Sequence, residues 1–529
     1  MSPSPDMKAT PKGKITFWVL VLLLMVASGT HLMRTAFRGN ETTAILIAVT
    51  VFALCLIFKL GRRASPRTAR YLPWSAVPLL LLAVWGANAR LFGKFDVSAV
   101  LFHLKHSLDY DGVGDDVIEF SAYLVFALIL MACISYLARR DRRMIWVERV
   151  FAVGILLVNP ITSYAYDRLL NPQRGGLNLA ELYQPPNLPE TSETPNLLLI
   201  YLESMEATFA EAPFGNVYDE LTALSNEGLR INGVAQIQDT GWTMAGLVAS
   251  QCGVPLLSYG LIMENRMKNI IDFLPEADCL ASRLSARGYQ TRFYGGASLT
   301  FAGKGKFLHA HGYQKAVGLD DVPDNKRGEL GKWGIHDDRI FDLAREELAA
   351  LAADDAPFLL SVLTLGAHSP AGHPAPICFE IIDGAAEMDT TLLSVACTAR
   401  LTRDFLTRAK SQGLLENTVI VLMSDHLAQK NTVTPQLDQY DRENFVLLLG
   451  ETITPQSLTK TGAMIDLYPT ILGAIGLPPA NGRAGLGVSL LGTAPTQLEQ
   501  QGLKPLNLAI RADKDLREQL WGLDAPTKP

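Results

Sequence analysis

Hydrophobic residues crowd the first third of the chain and thin into short runs beyond it. Five stretches, Ile15 to Met33, Thr43 to Leu60, Leu72 to Ala89, Phe120 to Leu137 and Ile145 to Ser163, carry few charges. Each reads as a membrane-spanning helix, because roughly 20 residues of helix cross the hydrocarbon core of a bilayer. The last is interrupted near Pro160. A cleaved signal peptide is the rival reading of the first stretch, but four more follow it and no small-residue cleavage pattern is obvious. Lys8, Lys12 and Lys14 precede the first stretch, Arg62, Arg63, Arg67 and Arg70 follow the second, and Arg139, Arg140, Arg142 and Arg143 follow the fourth. Cytoplasmic loops carry such excess. The acidic segment between the third and fourth, with Asp96, Asp109, Asp111, Asp115, Asp116 and Glu119, suits the opposite face. The pattern predicts a transmembrane bundle of about five helices over residues 1–165, a linker over 166–195 and an external domain over 196–529.

From Asn196 onward, continuous apolar runs alternate with helical patterns. Leu197–Leu202, Thr291–Tyr294, Phe358–Leu363 and Val419–Met423 read as strands, and Asp338–Ala353 and Leu393–Ser411 as helices. Unbroken apolar strands indicate a sheet covered on both faces. The expected class is therefore α/β with a largely parallel sheet.

A net charge of -6 leaves no basic footprint for nucleic acid. Of the six cysteines, Cys55 and Cys133 fall in expected spans and Cys252, Cys279, Cys378 and Cys397 in the external domain. Four thiols outside the membrane allow three pairings, of which sequence proximity favours Cys252 with Cys279 and Cys378 with Cys397; four free buried thiols are the alternative.

Active sites of open α/β sheets gather beyond the carboxyl ends of strands. The first external strand ends in Leu202-Glu203-Ser204 and a later one in Ser424-Asp425-His426. Two carboxylates and an imidazole there would supply three ligands to one divalent cation, where the bland reading is a helix-capping Asp425 and a solvated Glu203. Asp239-Thr240-Gly241-Trp242-Thr243-Met244-Ala245-Gly246 reads as a small-residue turn opening a helix. Such a turn presents N–H groups to an anion, and a hydroxyl at its start can attack phosphorus once a metal lowers its pKa. Thr243 is placed for that role, although taken alone it reads as an N-cap threonine.

The combined order Leu-Glu-Ser, Gly-Trp-Thr, Ser-Asp-His, together with residues 243 to 256, Phe301-Ala302-Gly303-Lys304 and the four external cysteines, resembles the phosphoglycerol transferases of the alkaline phosphatase and sulfatase superfamily, in the branch that includes lipoteichoic acid synthase. The resemblance covers nearly all of residues 196 to 490. It implies a three-layer α/β/α domain in which Glu203, Thr243, Asp425 and His426 hold one divalent metal, with Thr243 as the phosphorylated nucleophile. Lys304 stands where lipoteichoic acid synthase has a phosphate-contacting arginine, and keeps the charge but not the fork. His368 matches a histidine near the transferred group, and Lys304 and His368 are the expected substrate-binding residues. Mixed carboxylate, hydroxyl and imidazole ligation suits Mn2+, with Zn2+ and Mg2+ admissible.

The implied reaction moves phosphoglycerol from phosphatidylglycerol to a periplasmic glucan, on the outer face of the inner membrane. Trp333-Gly334-Ile335-His336-Asp337-Asp338 resembles a family stretch read here as architecture, and residues 463–472 a late packing helix. His336 and His373 are candidates for a second metal site without firm support from spacing. A sulfatase is disfavoured, since Cys252-Gly253-Val254-Pro255 lacks the Cys-x-Pro-x-Arg pattern. A phosphoethanolamine transferase acting on lipid A or a glycan, or an inactive membrane-anchored sensor, are the alternatives.

Overall fold

Strand β1, Asn196–Leu202, is buried along nearly its whole length, and its side chains divide by parity. Leu197, Leu199 and Tyr201 enter one apolar core, and Leu198, Ile200 and Leu202 another. Successive side chains of a strand point to opposite faces, so two cores mean a sheet covered on both sides.

The computed structural model describes residues 74–92, 123–134, 142–169, 177–190, 194–257 and 273–522. The chain divides into two compact units, residues 1–95 with 113–163, and residues 96–112 with 164–529. In the larger unit, β1 is joined by β2 (Leu229–Ala235), β3 (Gln290–Gly295), β4 (Lys315–Val317), β5 (Phe358–Leu363), β6 (Thr418–Ser424), β7 (Val446–Leu449) and β8 (Gln456–Ala463) in the order β8-β2-β7-β6-β1-β5-β3-β4. Neighbours are parallel except at β7, which runs antiparallel to both β6 and β2. The sheet is thus largely parallel, as expected, with one antiparallel strand: the chain leaving β6 returns beside it as β7 without a crossover to the far end, which an antiparallel pairing permits.

The principal helices of this unit are α1 (Thr243–Cys252), α2 (Lys304–Ala310), α3 (Asp337–Ala352), α4 (Thr390–Ser411) and α5 (Leu467–Ala474). Met244, Leu247 and Val248 of α1 and Leu467 and Ile471 of α5 belong to the core that takes Leu197. Ile340 and Leu348 of α3 and Val395 and Phe405 of α4 belong to the core that takes Leu198. Helices on both faces of one sheet make an α/β/α sandwich. The described part of the expected linker is tied to this unit. Leu179 is fully buried with its N–H on Asp513 Oδ2 at 2.8 Å, and Gln184 and Gly485 exchange backbone hydrogen bonds of 3.1 and 2.8 Å.

The smaller unit contains Ala76–Phe92, a helix over 123–134, and Arg142–Val158. A break at Asn159, whose Oδ1 accepts from the Ile161 N–H at 2.9 Å, separates the last from Pro160–Leu169, at the interruption expected near Pro160. Among the described residues no helix is long and apolar enough to cross a membrane. The expected spans at 15–33 and 43–60, and the acidic segment after the third span, lie outside the described residues.

Candidate active site

Strands β1 and β6 are parallel neighbours, and Leu202 lies opposite Ser424 in their register. The next residue of each, Glu203 and Asp425, therefore leaves the sheet at the same level, at the carboxyl ends where ligands gather. Ser204 turns the chain with φ of 59°, a left-handed conformation uncommon outside glycine. In that turn its N–H donates to Asp425 Oδ1 at 2.9 Å and its hydroxyl to Glu203 Oε1 at 2.9 Å, so one residue braces both carboxylates.

Helix α1 meets these loops end-on. The first helical residue is Thr243, with Trp242 at the N-cap and no side-chain cap. The reading of Thr243 as an N-cap threonine is thereby corrected: its hydroxyl is not spent on the helix terminus but donates to Glu203 Oε2 at 3.1 Å. A Cβ at Gly246 would lie 1.9 Å from the Asp425 carbonyl oxygen, so only glycine lets α1 approach this closely.

His426 Nδ1 is 2.8 Å from the Leu427 carbonyl, an acceptor, so Nδ1 carries the proton and Nε2 is the nitrogen turned toward the carboxylates. Nε2 lies 3.3 Å from both Glu203 Oε1 and Asp425 Oδ2. Burial raises the Glu203 carboxyl, but the His426 charge and hydrogen bond outweigh it and hold it below the ordinary range. Asp425 is pushed well up by burial and by Glu203. Burial opposes the charged form of His426, yet Asp425 and Glu203 bring it up to about 9.

Two buried carboxylates and one imidazole converge at this point, a mixed set of oxygen and nitrogen donors that a divalent cation could hold together. Glu203, Asp425 and His426 each offer one ligand atom, all within 4.8 Å of one another, and they are the sole such cluster among the described residues. Asp425 Oδ2 is buried and has no hydrogen-bond partner. The donor set and the orphaned oxygen together fit a divalent cation.

Lys304 opens α2 and is buried. Burial lowers its amine to about 8 against the upward pull of Glu203 and Asp425, which puts a cation within reach of the carboxylates. His368 follows β5, with Nδ1 on the Ser369 carbonyl at 2.8 Å. Its pKa is lowered by burial in spite of Glu203, and its ring packs against Trp333 with centroids 4.3 Å apart and the planes tilted by 44°. Trp333 Nε1 in turn donates to His373 Nε2 at 2.9 Å. His336 and His373 line one small cleft with Trp333, but no third metal-ligating side chain joins them among the described residues. Asp337 accepts from the Leu365 and Gly366 N–H groups and the Thr398 hydroxyl, pinning the loop after β5 to α4.

Both favoured disulfides are formed, Cys252–Cys279 and Cys378–Cys397. Cys252 is the final residue of α1 and Cys279 the N-cap of the helix Leu280–Ser285. Among the described residues Cys133 is free. Sequence reasoning missed the bracing by Ser204, the close approach at Gly246 and the packing of Trp333 against His368. Only Gly246 left a signal, as a glycine inside a helical pattern costs about 1 kcal/mol relative to alanine and so asks for a reason.

The family described as Sulfatase matches residues 195–477. Phosphoglycerol transferase I of Xanthomonas euvesicatoria pv. vesicatoria is 37% identical over 430 residues, covering 78% of this chain and 60% of that protein. Phosphoglycerol transferase I of Salmonella paratyphi B is 29% identical over 425 residues, covering 78% of this chain and 54% of that protein. The chain thus spans little more than half the length of these relatives. A solved protein of the alkaline phosphatase superfamily from Vibrio parahaemolyticus aligns with a TM-score of 0.47 and 23% identity, over 61% of this chain and 75% of that one.

Proposed function

From the premise that this chain belongs to the sulfatase family, we propose that it is a phosphoryl-group transferase that moves phosphoglycerol from phosphatidylglycerol to a periplasmic glucan through a phospho-threonine at Thr243. The observation that carries this reading is the 3.1 Å hydrogen bond from the Thr243 hydroxyl to Glu203, inside the cluster of Glu203, Asp425 and His426. A divalent cation, Mn2+ by preference, held by Glu203, Thr243, Asp425 and His426 would lower the pKa of the hydroxyl and neutralise charge on the phosphate.

The chain's own groups divide the remaining work. Thr243 Oγ bonds to phosphorus as the bond to the diacylglycerol oxygen breaks, and its proton starts out on the Glu203 side, away from the incoming phosphate. Diacylglycerol leaves as the alcohol, taking up one proton in balance with the one Thr243 gives up. Lys304 faces the negative charge spread over the phosphoryl oxygens. The acceptor hydroxyl then attacks the same phosphorus, Thr243 Oγ is released and regains a proton in balance with the one the acceptor hydroxyl gives up, and phosphoglycerol ends on the acceptor. His368, with Nδ1–H committed to Ser369 and its pKa depressed, offers Nε2 to the proton of that hydroxyl rather than a positive charge.

A lipid donor asks for a domain held at the bilayer, and we assign the N-terminal region to a multi-pass inner-membrane anchor with the catalytic domain in the periplasm. The outward apolar side chains of Arg142–Val158, among them Trp146, Val150 and Leu157, support a helix that faces lipid or other helices. Mass spectrometry after incubation with phosphatidylglycerol tests the reading. A glycerophospho adduct on Thr243 is expected; an adduct formed only from phosphatidylethanolamine would make the protein a phosphoethanolamine transferase, and no adduct from any lipid would refute transfer.

A further inference from the structure

Ala428, two residues beyond His426, is gripped through both of its backbone polar groups by an ion pair between a partly buried arginine and a fully buried carboxylate. Its N–H donates to Glu206 Oε2 at 2.8 Å and its carbonyl accepts from Arg442 Nη2 at 2.5 Å. Arg442 also reaches Glu206 Oε1 through Nε at 2.9 Å and Oε2 through Nη2 at 2.5 Å. Glu206 is fully buried and lies three residues beyond Glu203. A pair of this kind is weak as a source of stability, since desolvation offsets most of the attraction. Its geometry has a more specific effect.

The Ala428 N–H and the Leu427 carbonyl belong to one planar trans peptide, in which they point in opposite directions. Holding the N–H on Glu206 therefore aims the carbonyl the other way, and that carbonyl is the partner of His426 Nδ1 at 2.8 Å. The preceding peptide is fixed too, by the Leu427 N–H on Gln236 Oε1 at 2.8 Å. The imidazole is thereby held with Nδ1 protonated and Nε2 turned to Glu203 and Asp425.

We propose that Glu206 and Arg442 are positioning residues for His426, acting through the Leu427–Ala428 peptide to hold Nε2 ready for a divalent cation. The proposal rests on the reading of Glu203, Asp425 and His426 as the ligands of that cation. Partners of this kind are worth roughly 10- to 100-fold in metal affinity.

The test titrates Mn2+ into the purified full-length protein by calorimetry, comparing wild type with Glu206→Gln and Arg442→Lys, well below the melting temperature of each metal-free protein. Both variants are expected to bind Mn2+ about 10- to 100-fold more weakly. Folded variants that bind as tightly as wild type would overturn the proposal, because a merely structural pair changes melting temperature and not the affinity of the folded state. Should neither variant fold, Gln236→Leu, which removes only the bond at the Leu427 N–H, must show the same direction of loss, and unchanged affinity there would also overturn it. A wild type that fails to bind Mn2+, Zn2+ or Mg2+ would instead refute the underlying cation site.

Discussion

The Thr243 hydroxyl and the Glu203 carboxylate, 40 residues apart in sequence, meet through a hydrogen bond of 3.1 Å between the start of one helix and the end of the strand β1. That contact joins the nucleophile to Glu203, one of the other three side chains that would share the cation with it. Thr243→Ala should abolish transfer from labelled phosphatidylglycerol, by roughly a thousandfold or more, while leaving melting temperature and most cation binding intact. Thr243→Ser, which restores a hydroxyl, should recover part of the rate. Full activity in the alanine variant would remove Thr243 from its role.

Gly246 gives a prediction of the opposite kind, a tiny change with a large effect. An added methyl would fall on the Asp425 carbonyl oxygen, and overpacking of this sort costs about 1–3 kcal/mol. Gly246→Ala should lower stability by that amount in denaturant titrations. It should also weaken cation binding, because either α1 or the Asp425 loop has to move. An alanine variant as stable as wild type would contradict the packing described.

Lys304→Met replaces a buried cation with an apolar chain of similar length. If Lys304 faces the transferring phosphate as proposed, loss of its charge should reduce kcat by about a hundredfold or more, in steady-state assays with the lipid donor. Lys304→Arg tests whether the buried amine tolerates the larger fork, and a fall in rate smaller than that of the methionine variant is expected.

The Trp333–His373 hydrogen bond predicts a pH dependence. His373 Nε2 accepts from Trp333, and burial, with His368, Lys332 and His336 nearby, lowers its pKa to about 4. Its ordinary value is near 6.5. Between these values the unfolded chain binds a proton that the folded chain does not, so this contribution to stability is present above about pH 6.5 and is lost as pH falls toward 4. The melting temperature of wild type should therefore drop more steeply over that interval than that of His373→Gln. Equal slopes would refute the linkage.

Removing the Cys252–Cys279 bridge opens a 27-residue separation, which chain entropy values at about 3–4 kcal/mol. A paired Cys252→Ala, Cys279→Ala variant should lose stability of that order. Because Cys252 ends the helix that begins at Thr243, activity should decline at temperatures below global unfolding, measurable by parallel activity and melting curves.

The strands legible in the sequence, β1, β3, β5 and β6, are the four that lie side by side at the centre of the sheet. Covered on both faces, β1, β5 and β6 are apolar along most of their length, whereas β3 begins with the polar run Gln290 to Arg292 and was legible from Phe293 and Tyr294 beside it. Those that escaped reading differ physically: β2 is only partly buried along its length, β4 and β7 are short, and β8 at the edge exposes Ser457, Thr459 and Thr461. The site was readable for a related reason, since Glu203, Asp425 and His426 each follow such an apolar run. What could not be read was contact made by backbone. The bracing by Ser204 depends on a left-handed turn, and the clearance at Gly246 on how close a helix comes. The Glu206–Arg442 pair joins positions 236 residues apart and reaches His426 only through one peptide plane.

The matching of Leu202 with Ser424 has a consequence for how this protein comes into being. Ser204 and Asp425, which their hydrogen bond ties together, are 221 residues apart, and no shorter loop brings the two carboxylates into company. Contacts of such range close late in folding, because the entropy of a long loop must be overcome first. An emerging or half-folded chain thus holds its threonine without the acids beside it, and the proposed transfer would begin only when the middle of the sheet has closed.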